Sequence, residues 1–223
     1  MLVVDAQEMK SRLRGIYVIT DEQLVPGRTH IDIARAALAG GANIIQLRDK
    51  FASDDYLIQV GYVIRELTQN SGAIFIVNDR IEVALACNAD GIHVGQSDQP
   101  AAQLRALIPD KIIGVSVTTL EEAERALADR ADYIGAGPVF ATSTKPDAGN
   151  PLGLHGIAEI RSAVPSLPIV AIGGINEHNI AEVAKAGADA ASVISAVVCA
   201  DDMVEATRRL VSAWEAQTGR IQS

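Results

Sequence analysis

Eight short apolar segments, each followed by a segment with helical periodicity, alternate along this 223-residue chain. Most positions in the apolar segments are hydrophobic, which is typical of strands that are covered on both faces. Strands of that kind, when they alternate with helices, indicate a parallel sheet. The repeated unit therefore predicts an α/β protein.

The predicted strands cover residues 16–20, 43–48, 73–78, 91–95, 112–117, 133–140, 169–173 and 190–195. The predicted helices cover residues 30–40, 54–69, 79–87, 100–108, 120–128, 154–163, 178–186 and 203–216, and Ser53 is expected to cap the second of them. This pattern predicts a single (β/α)8 TIM barrel over residues 1–223, with a short helical extension at 1–14. A doubly wound open sheet is the competing topology, but no G-x-G-x-x-G motif opens a helix.

Charge and cysteine content disfavour several classes of protein. The chain has 19 basic and 28 acidic residues and a net charge of −9, which argues against a nucleic-acid-coating surface. Cys87 and Cys199 lack C-x-x-C spacing, so we expect two buried thiols rather than a disulfide or a zinc site. The N-terminal segment carries charges and no apolar run reaches membrane-spanning length, so we expect a cytoplasmic protein without a membrane segment.

The sequence changes character abruptly after residue 140. An apolar run gives way to Thr142, Ser143, Thr144 and Lys145, and then to prolines and glycines that interrupt regular structure. We predict that residues 141–153 form an active-site loop, because a rigid strand would present hydroxyls and an ammonium group to a phosphate-bearing ligand. This stretch alone is equally compatible with an exposed, solvated connection.

The end of the second strand carries a cationic pattern. The twofold repeat of a strand places Gln46, Arg48 and Lys50 on one face and Ile45 and Leu47 on the other. Because the apolar face must meet the helices, we expect the polar face to point into the mouth of the barrel. A guanidinium there favours an anionic ligand, and the alternative is an arginine paired internally with a carboxylate.

Two carboxylates follow neighbouring strands. Asp79 comes after the third strand and Asp98 after the fourth, so both should reach the same rim. Each acid alone could be a helix cap, but the two together suit Mg²⁺, which binds one or two carboxylates and completes its shell with water and phosphate oxygens. We interpret His93, within the fourth strand, as a hydrogen-bonded interior residue or a ligand contact rather than a catalytic base.

Small and hydroxyl-bearing residues mark the ends of later strands. Ser116 lies at the end of strand five, Gly173 and Gly174 at the end of strand seven and Ser195 at the end of strand eight. A Gly-Gly pair lets backbone N–H groups approach an anion, and the loops after strands seven and eight form a recurring phosphate site in this fold. We therefore expect two anion sites in one mouth, which could receive two phosphorylated substrates.

The motifs occur in the order Gln46-Leu47-Arg48-Asp49-Lys50, Val77-Asn78-Asp79, Gly91-Ile92-His93-Val94-Gly95-Gln96 with Asp98, Gly114-Val115-Ser116, Gly137-Pro138-Val139-Phe140 with Thr142-Ser143-Thr144-Lys145, Ile172-Gly173-Gly174-Ile175 and Ile194-Ser195-Ala196. Over essentially the whole chain they resemble the thiamine phosphate synthase family. The resemblance implies a transferase that joins hydroxymethylpyrimidine diphosphate to a thiazole phosphate and releases diphosphate.

The resemblance also implies roles for individual residues. The pyrimidine diphosphate would be bound by Gln46, Arg48, Lys50, Asn78, His93, Ser116 and Lys145, of which Arg48, Lys50, Ser116 and Lys145 would take part in catalysis. The thiazole phosphate would be bound by Thr142, Ser143, Thr144, Gly174, Ile194 and Ser195. The cofactor would be Mg²⁺, held by Asp79 and Asp98. Family members often have another acid before Asp98 and a pair other than Val117-Thr118 after Ser116, which leaves details of the rim open.

Three other functions are compatible with parts of the pattern. A thiazole tautomerase of related barrel type would not need both acids together with the three cations. A catalytically silent barrel could bind a thiamine precursor and regulate a partner. A sugar-phosphate isomerase or epimerase would need an acid/base pair that the sequence does not reveal. The sequence leaves open whether the chain forms a homo-oligomer and whether a carboxylated thiazole is preferred.

Overall fold

Eight parallel strands close into a barrel in chain order within residues 12–142, 144 and 149–219, which the computed structural model describes. The strands are β1 (Gly15–Thr20), β2 (Ile44–Leu47), β3 (Ile74–Asn78), β4 (Gly91–Val94), β5 (Ile112–Val117), β6 (Tyr133–Ala136), β7 (Ile169–Ile172) and β8 (Ala190–Val193). The described helices are α1 (His30–Ala39), α2 (Asp54–Ser71), α3 (Ile81–Ala86), α4 (Ala101–Leu107), α5 (Leu120–Ala128), α6 (Gly153–Ala163), α7 (Ile180–Lys185), α8 (Ser195–Val198) and α9 (Met203–Thr218). The predicted TIM barrel is confirmed.

The twofold repeat of the strands divides the buried residues into two layers. In β2, Ile45 and Leu47 pack in the large cluster between the sheet and the helices. Ile44 instead belongs to a smaller cluster inside the barrel, together with Tyr17 and Tyr133. Gln46, two residues after Ile44, is buried on that inner side and reaches Tyr17. The side chains of β2 therefore alternate between the outer and inner layers, as the sequence predicts.

Helix α2 has clear local signals at both ends. The Ser53 hydroxyl accepts a hydrogen bond from the N–H of Tyr56 at 3.3 Å, which confirms the predicted cap. The helix ends at Gly72, whose φ of 75° lies in the left-handed region that glycine adopts without strain. Helix α1 begins with a capping box, in which Thr29 and Asp32 each bond the other's backbone N–H.

Four polar residues at the amino-terminal ends of the strands form a repeated structure, which we call the strand-start ring. Its members immediately precede the even-numbered strands. Each side chain accepts a hydrogen bond from a backbone N–H of the preceding odd-numbered strand at 2.8 or 2.9 Å: Asn43 from Ile16, Asp90 from Phe75, Asp132 from Ile113 and Asp189 from Ile169. The three aspartates also pair with arginines from helices α2, α4 and α6, namely Arg65, Arg105 and Arg161. The ring thus satisfies buried backbone donors at the face of the barrel opposite the strand carboxyl ends.

Some predicted boundaries are wrong for local reasons. Strand β6 ends at Ala136 instead of residue 140, because Pro138 has no N–H to continue the ladder. Helix α3 begins at Ile81 instead of residue 79, because Asp79 has a φ of 59° and is not helical. Strand β8 ends at Val193 instead of residue 195, and Ser195 begins the short helix α8, which the sequence pattern did not predict.

The N-terminal prediction falls mostly outside the described residues. Of the expected helix at 1–14, residues 1–11 are not described, and residues 12–14 form no helix. Leu13 is nevertheless buried within the inner cluster of the barrel. The described part of this segment therefore enters the barrel as a non-helical lead into β1.

The cysteine prediction is correct for one residue and wrong for the other. Cys87 is a buried free thiol, whereas Cys199 is free and exposed because it follows the last turn of the short helix α8. Trp214 of α9 is buried in the cluster between sheet and helices and so packs on the barrel. Across the described part of the chain, every helix is too short or too polar to cross a membrane.

Candidate active site

A cavity of about 740 Å³ opens at the carboxyl ends of the strands. A volume of that size accommodates small-molecule ligands. Thirteen of the fifteen predicted site residues line it: Gln46, Arg48, Lys50, Asn78, Asp79, His93, Asp98, Ser116, Thr142, Thr144, Gly174, Ile194 and Ser195. The remaining two, Ser143 and Lys145, lie outside the described residues. The barrel therefore brings together side chains that are up to about 150 positions apart in the sequence.

The cationic side of the cavity is formed by β2 and the residues after it. Strand β2 ends at Leu47, yet both Arg48 and Lys50 line the cavity together with Gln46. Arg48 also has an internal partner, because its Nη1 lies 3.5 Å from Oδ2 of Asp21. The two interpretations of this arginine are thus compatible: a carboxylate holds the guanidinium from one side while the cavity remains open to an anion on the other.

A chain of hydrogen bonds crosses the interior of the barrel below the cavity. Gln46 donates to the Tyr17 hydroxyl at 2.6 Å, and this hydroxyl lies 3.0 Å from that of Tyr133. His93 joins Tyr133 to Ser116, since its two ring nitrogens lie 2.9 Å from the two hydroxyls. Burial raises the pKa of both tyrosines well above the ordinary range, so both remain protonated.

This chain fixes the side chains of the site in place. Its bonds can be satisfied with Ser116 either accepting a hydrogen bond from His93 or donating one to it. His93 is a hydrogen-bonded interior histidine that also lines the cavity, and both of its nitrogens are already engaged. We retain the interpretation of His93 as an interior residue and ligand contact rather than a general base.

The two predicted metal ligands lie close enough to affect each other. Burial, and after it the charge and hydrogen bond of Asp98, raise the pKa of Asp79 to about 6 against an opposing effect of Lys50. The left-handed backbone at Asp79, with a φ of 59°, turns the chain at the end of β3. One oxygen of Asp98 accepts the N–H of Gly95 at 2.7 Å, which orients its carboxylate.

The donor set fits a hard divalent cation. Two carboxylates that repel each other in a partly buried mouth are stabilised by a cation between them. Oxygen donors are the ligands that Mg²⁺ prefers, and a set of only two protein ligands leaves positions for water and phosphate oxygens. We retain Asp79 and Asp98 as the proposed Mg²⁺ ligands.

The opposite side of the cavity is formed by backbone and hydroxyl groups after β7 and β8. Gly173 and Gly174 have φ values of 102° and 65°, and a Cβ at Gly174 would lie 2.7 Å from the carbonyl oxygen of Ala141. The glycines therefore permit the loop after β7 to pack directly on the start of the loop after β6. Thr144 donates its N–H to the Thr142 hydroxyl at 3.3 Å, which shapes the described part of that loop.

Four further residues near the site were not predicted from the sequence. Asp21 pairs with Arg48, the Gln96 amide donates to the carbonyl of Ser116 at 2.7 Å, and Glu122 accepts the N–H of Thr118 at 2.6 Å. The Ser192 hydroxyl is buried at the cavity and has no hydrogen-bond partner among the described residues. Gln96 ends the motif at residues 91–96 and could have been predicted, whereas a serine within an apolar strand gives no sequence signal of a functional role.

Comparison with known proteins places this geometry in a family. A family model described as thiamine monophosphate synthase matches residues 16–197. The thiamine-phosphate synthase of Chloroflexus aurantiacus is 53% identical over 195 residues, covering 87% of this chain and 90% of the relative. The corresponding protein of Moorella thermoacetica is 53% identical over 196 residues, covering 87% and 93%. The structure of thiamine phosphate pyrophosphorylase from Pyrococcus furiosus superimposes with a TM-score of 0.86 at 43% identity, covering 94% of this chain and 98% of that one.

Proposed function

The chain belongs to the thiamine monophosphate synthase family, and we propose that its cavity joins a pyrimidine diphosphate to a thiazole phosphate. It is a thiamine-biosynthetic transferase that forms thiamine phosphate and releases diphosphate. The observation that carries the assignment of residues is the convergence of a cationic side, a carboxylate pair and a glycine-rich side on one cavity. We expect the enzyme to act in the cytoplasm.

The pyrimidine diphosphate would bind on the side of β2 to β5. Arg48 and Lys50 would hold the diphosphate, while Gln46, Asn78 and Ser116 would orient the pyrimidine. Mg²⁺, when bound by Asp79 and Asp98, would supply positive charge to the diphosphate oxygens. The C–O bond to the leaving diphosphate breaks with its electron pair, and the cations stabilise the charge that develops there.

The second half of the reaction needs no base from the protein. The aminopyrimidine stabilises the methylene cation that remains, and the thiazole nitrogen attacks it through its lone pair. This nitrogen carries no proton, so a C–N bond forms without a proton transfer. The engagement of His93 by Tyr133 and Ser116 is consistent with such a reaction.

The thiazole phosphate would bind on the side of β7 and β8. Gly174 offers its backbone N–H group where a side chain would clash, and Thr142, Thr144 and Ser195 offer hydroxyls. Ser143 and Ile194 complete this proposed set. The loops after strands seven and eight of a TIM barrel often bind phosphate, which supports the placement.

The tautomerase alternative is not favoured by the structure. A tautomerase would move a proton on one thiazole substrate and would have no need for a second anion site. Here Arg48, Lys50, Asp79 and Asp98 all line the same cavity. Their grouping supports a diphosphate substrate.

The direct test is an assay of the purified protein with both substrates, with and without Mg²⁺. We expect diphosphate and thiamine phosphate to appear in a one-to-one ratio and only with the metal. A coupled phosphate assay measures the diphosphate, and mass spectrometry measures the thiamine phosphate. Folded protein that yields no coupled product at saturating substrates would overturn the assignment.

Replacement of Lys145 by alanine tests the proposed role of the loop at 141–153. We propose that Lys145 closes this loop over the substrates and excludes water that would trap the cation. In Lys145→Ala we expect a slower single turnover and a larger fraction of hydrolysed pyrimidine, measured by rapid quench. An unchanged rate and an unchanged hydrolysed fraction would contradict that role.

Replacement of Gly174 by alanine tests the proposed thiazole phosphate site. The added methyl group would lie 2.7 Å from the oxygen of Ala141 and 2.8 Å from Cβ of Phe140, so the loop must move. We expect the KM for thiazole phosphate to rise at least about tenfold while that for the pyrimidine diphosphate changes little. Gly72→Ala is the matched control, because Gly72 also has a positive φ but no atom within 4 Å of the added methyl group. Equal effects on both KM values would refute the placement.

A further inference from the structure

A second group of polar residues lies beside the active-site cavity and does not line it. Glu22 is in the loop after β1, His30 is the first residue of α1 and Asp49 is in the loop after β2. One ligand atom from each of the three lies within 4.8 Å of the other two, and we call this group the Glu22–His30–Asp49 cluster. The side chains of His30 and Asp49 are 0% and 4% exposed, while that of Glu22 is 21% exposed.

The hydrogen bonds around His30 define which ring nitrogen carries a proton. The Thr20 hydroxyl donates its single proton to the carbonyl of Gln46 at 3.2 Å. The same hydroxyl lies 2.8 Å from Nδ1 of His30, and with its own proton on the Gln46 carbonyl it accepts a hydrogen bond from Nδ1–H. In the neutral imidazole, Nε2 therefore holds a lone pair.

That lone pair points towards two carboxylates. Nε2 of His30 lies 3.5 Å from Oδ2 of Asp49 and 3.9 Å from Oε1 of Glu22. Among the described residues this buried nitrogen has no hydrogen-bond partner. Both distances exceed the length of about 2.7–2.9 Å that is typical of a charge-assisted N–H···O bond. One ring nitrogen and two carboxylate oxygens thus lie within 4.8 Å of one another.

The other oxygen of Asp49 and the backbone near Glu22 hold the carboxylates in this orientation. Oδ1 of Asp49 accepts the N–H groups of Phe51 and Ala52 at 2.7 and 2.9 Å, which leaves Oδ2 directed at His30. Oε1 of Glu22 accepts the N–H of His30 at 2.6 Å and the Tyr56 hydroxyl at 2.9 Å. The cluster is therefore assembled by backbone and hydroxyl donors from three different elements.

Charge balance favours a dication at this point. Two carboxylates and a neutral imidazole carry a net charge of −2, and the adjacent Asp21 is already paired with Arg48. A proton on Nε2 would leave the cluster at −1, whereas a divalent ion would make it neutral. Neutrality matters because two of the three side chains are almost fully buried.

We propose that the Glu22–His30–Asp49 cluster is a binding site for a divalent transition-metal ion, with Zn²⁺ as the best-matched ion. One imidazole and two carboxylates are common zinc ligands, with bonds of about 2.0–2.2 Å. Tetrahedral geometry at these bond lengths separates ligand atoms by ~3.3–3.5 Å; Nε2 of His30 lies 3.5 and 3.9 Å from the two carboxylates, and the carboxylate oxygens lie within 4.8 Å of each other, so a small inward shift of Glu22 completes the site. Water would occupy the fourth position on the exposed side of Glu22.

Such an ion would connect two loops at the rim of the barrel. Asp49 lies between Arg48 and Lys50, whose side chains face the cavity. An ion bound to Asp49, which does not line the cavity, would fix residues 48–50 relative to the loop after β1. The site is distinct from the Asp79–Asp98 pair and has a different donor set, with one nitrogen ligand in place of oxygen ligands alone.

The test is a Zn²⁺ titration of the chelator-treated full chain by calorimetry, carried out in an Asp79→Asn/Asp98→Asn background that lacks the proposed Mg²⁺ ligands. We expect one zinc ion per chain, an increase of several degrees in Tm at saturating zinc, and affinity at least about tenfold weaker when Glu22→Gln is added. Glu22 is the preferred position because it is the most exposed ligand, and His30→Gln is a second variant.

His155→Gln is the matched control. His155 also faces a glutamate, at 3.3 Å, but its side chain is 86% exposed, so zinc affinity should not change. Absence of zinc binding below about 100 µM in a folded background protein would overturn the proposal, and so would equal binding by the Glu22→Gln variant. Detection of a doubly protonated His30 ring by NMR at pH 7 with zinc present would also overturn it, since a proton would then occupy the site.

Discussion

An Asp79→Asn enzyme should lose at least about 100-fold in kcat/KM for diphosphate release and yet become more stable than the wild type at pH 8. The activity falls because the proposed Mg²⁺ site loses a charged ligand. The stability rises because burial, and after it the charge of Asp98, raise the pKa of Asp79 from 3.8 to about 6, so the folded protein holds the charged form unfavourably at pH 8. We expect a gain of about 1 kcal/mol, since solvent screens part of the interaction.

The sign of this effect depends on pH. Between the ordinary pKa of an aspartate and about 6, the folded state binds more protons than the unfolded state, so the stability of the metal-free wild type decreases as pH rises through this range. Urea unfolding with chelator at pH 4 and pH 8 measures the difference. The advantage of Asp79→Asn should be present at pH 8 and small at pH 4. A variant that is less stable than the wild type at pH 8 would show that the folded protein does not disfavour the charged form of Asp79.

Replacement of Asp132 by alanine should lower the free energy of unfolding by about 3 kcal/mol while kcat/KM stays within about twofold. Asp132 belongs to the strand-start ring at the opposite end of the barrel from the active site. Its carboxylate is 2% exposed, accepts the N–H of Ile113 and pairs with Arg105. Alanine would leave a buried backbone donor and a largely buried guanidinium without this partner. Equilibrium unfolding in urea gives the change, provided that the m-value is constant.

Two variants separate the parts of this effect. Asp132→Asn keeps an oxygen for Ile113 but removes the charge, so it should lose clearly less stability than the alanine variant. Asp189→Ala removes the equivalent residue of the ring, whose carboxylate is 45% exposed, and should also lose less. Equal losses for all three variants would show that burial at Asp132 is not the cause.

The sequence predicts the framework of the site because strand ends in a closed barrel meet by geometry. Gln46, Arg48 and Asp98 could be placed at one rim from the twofold repeat and the order of strands alone. The same reasoning could not find Asp21 as the partner of Arg48, because that contact joins two loops whose paths are not periodic. It could not find the bonds between Tyr17 and Tyr133 either, since these depend on how two large rings fit inside the barrel.

The wrong boundaries have a common cause. Periodicity extends a strand or helix for as long as the residue types are suitable, whereas a single residue ends it in the structure. Pro138 ends the β6 ladder, and the left-handed Asp79 delays α3. Both positions adjoin the cavity, where local backbone requirements override the pattern of apolar residues.

The strand-start ring divides the barrel into four quarters. Its side chains tie β1 to β2, β3 to β4, β5 to β6 and β7 to β8. Three of the seams between those pairs are crossed by ion pairs of the same ring, because Arg65, Arg105 and Arg161 lie in the helices that follow β2, β4 and β6, whereas Asp90, Asp132 and Asp189 precede β4, β6 and β8. The ring therefore also joins each quarter to the next, and amide hydrogen exchange in the native protein should show the starts of strands β3 to β8 opening as one cooperative unit instead of quarter by quarter.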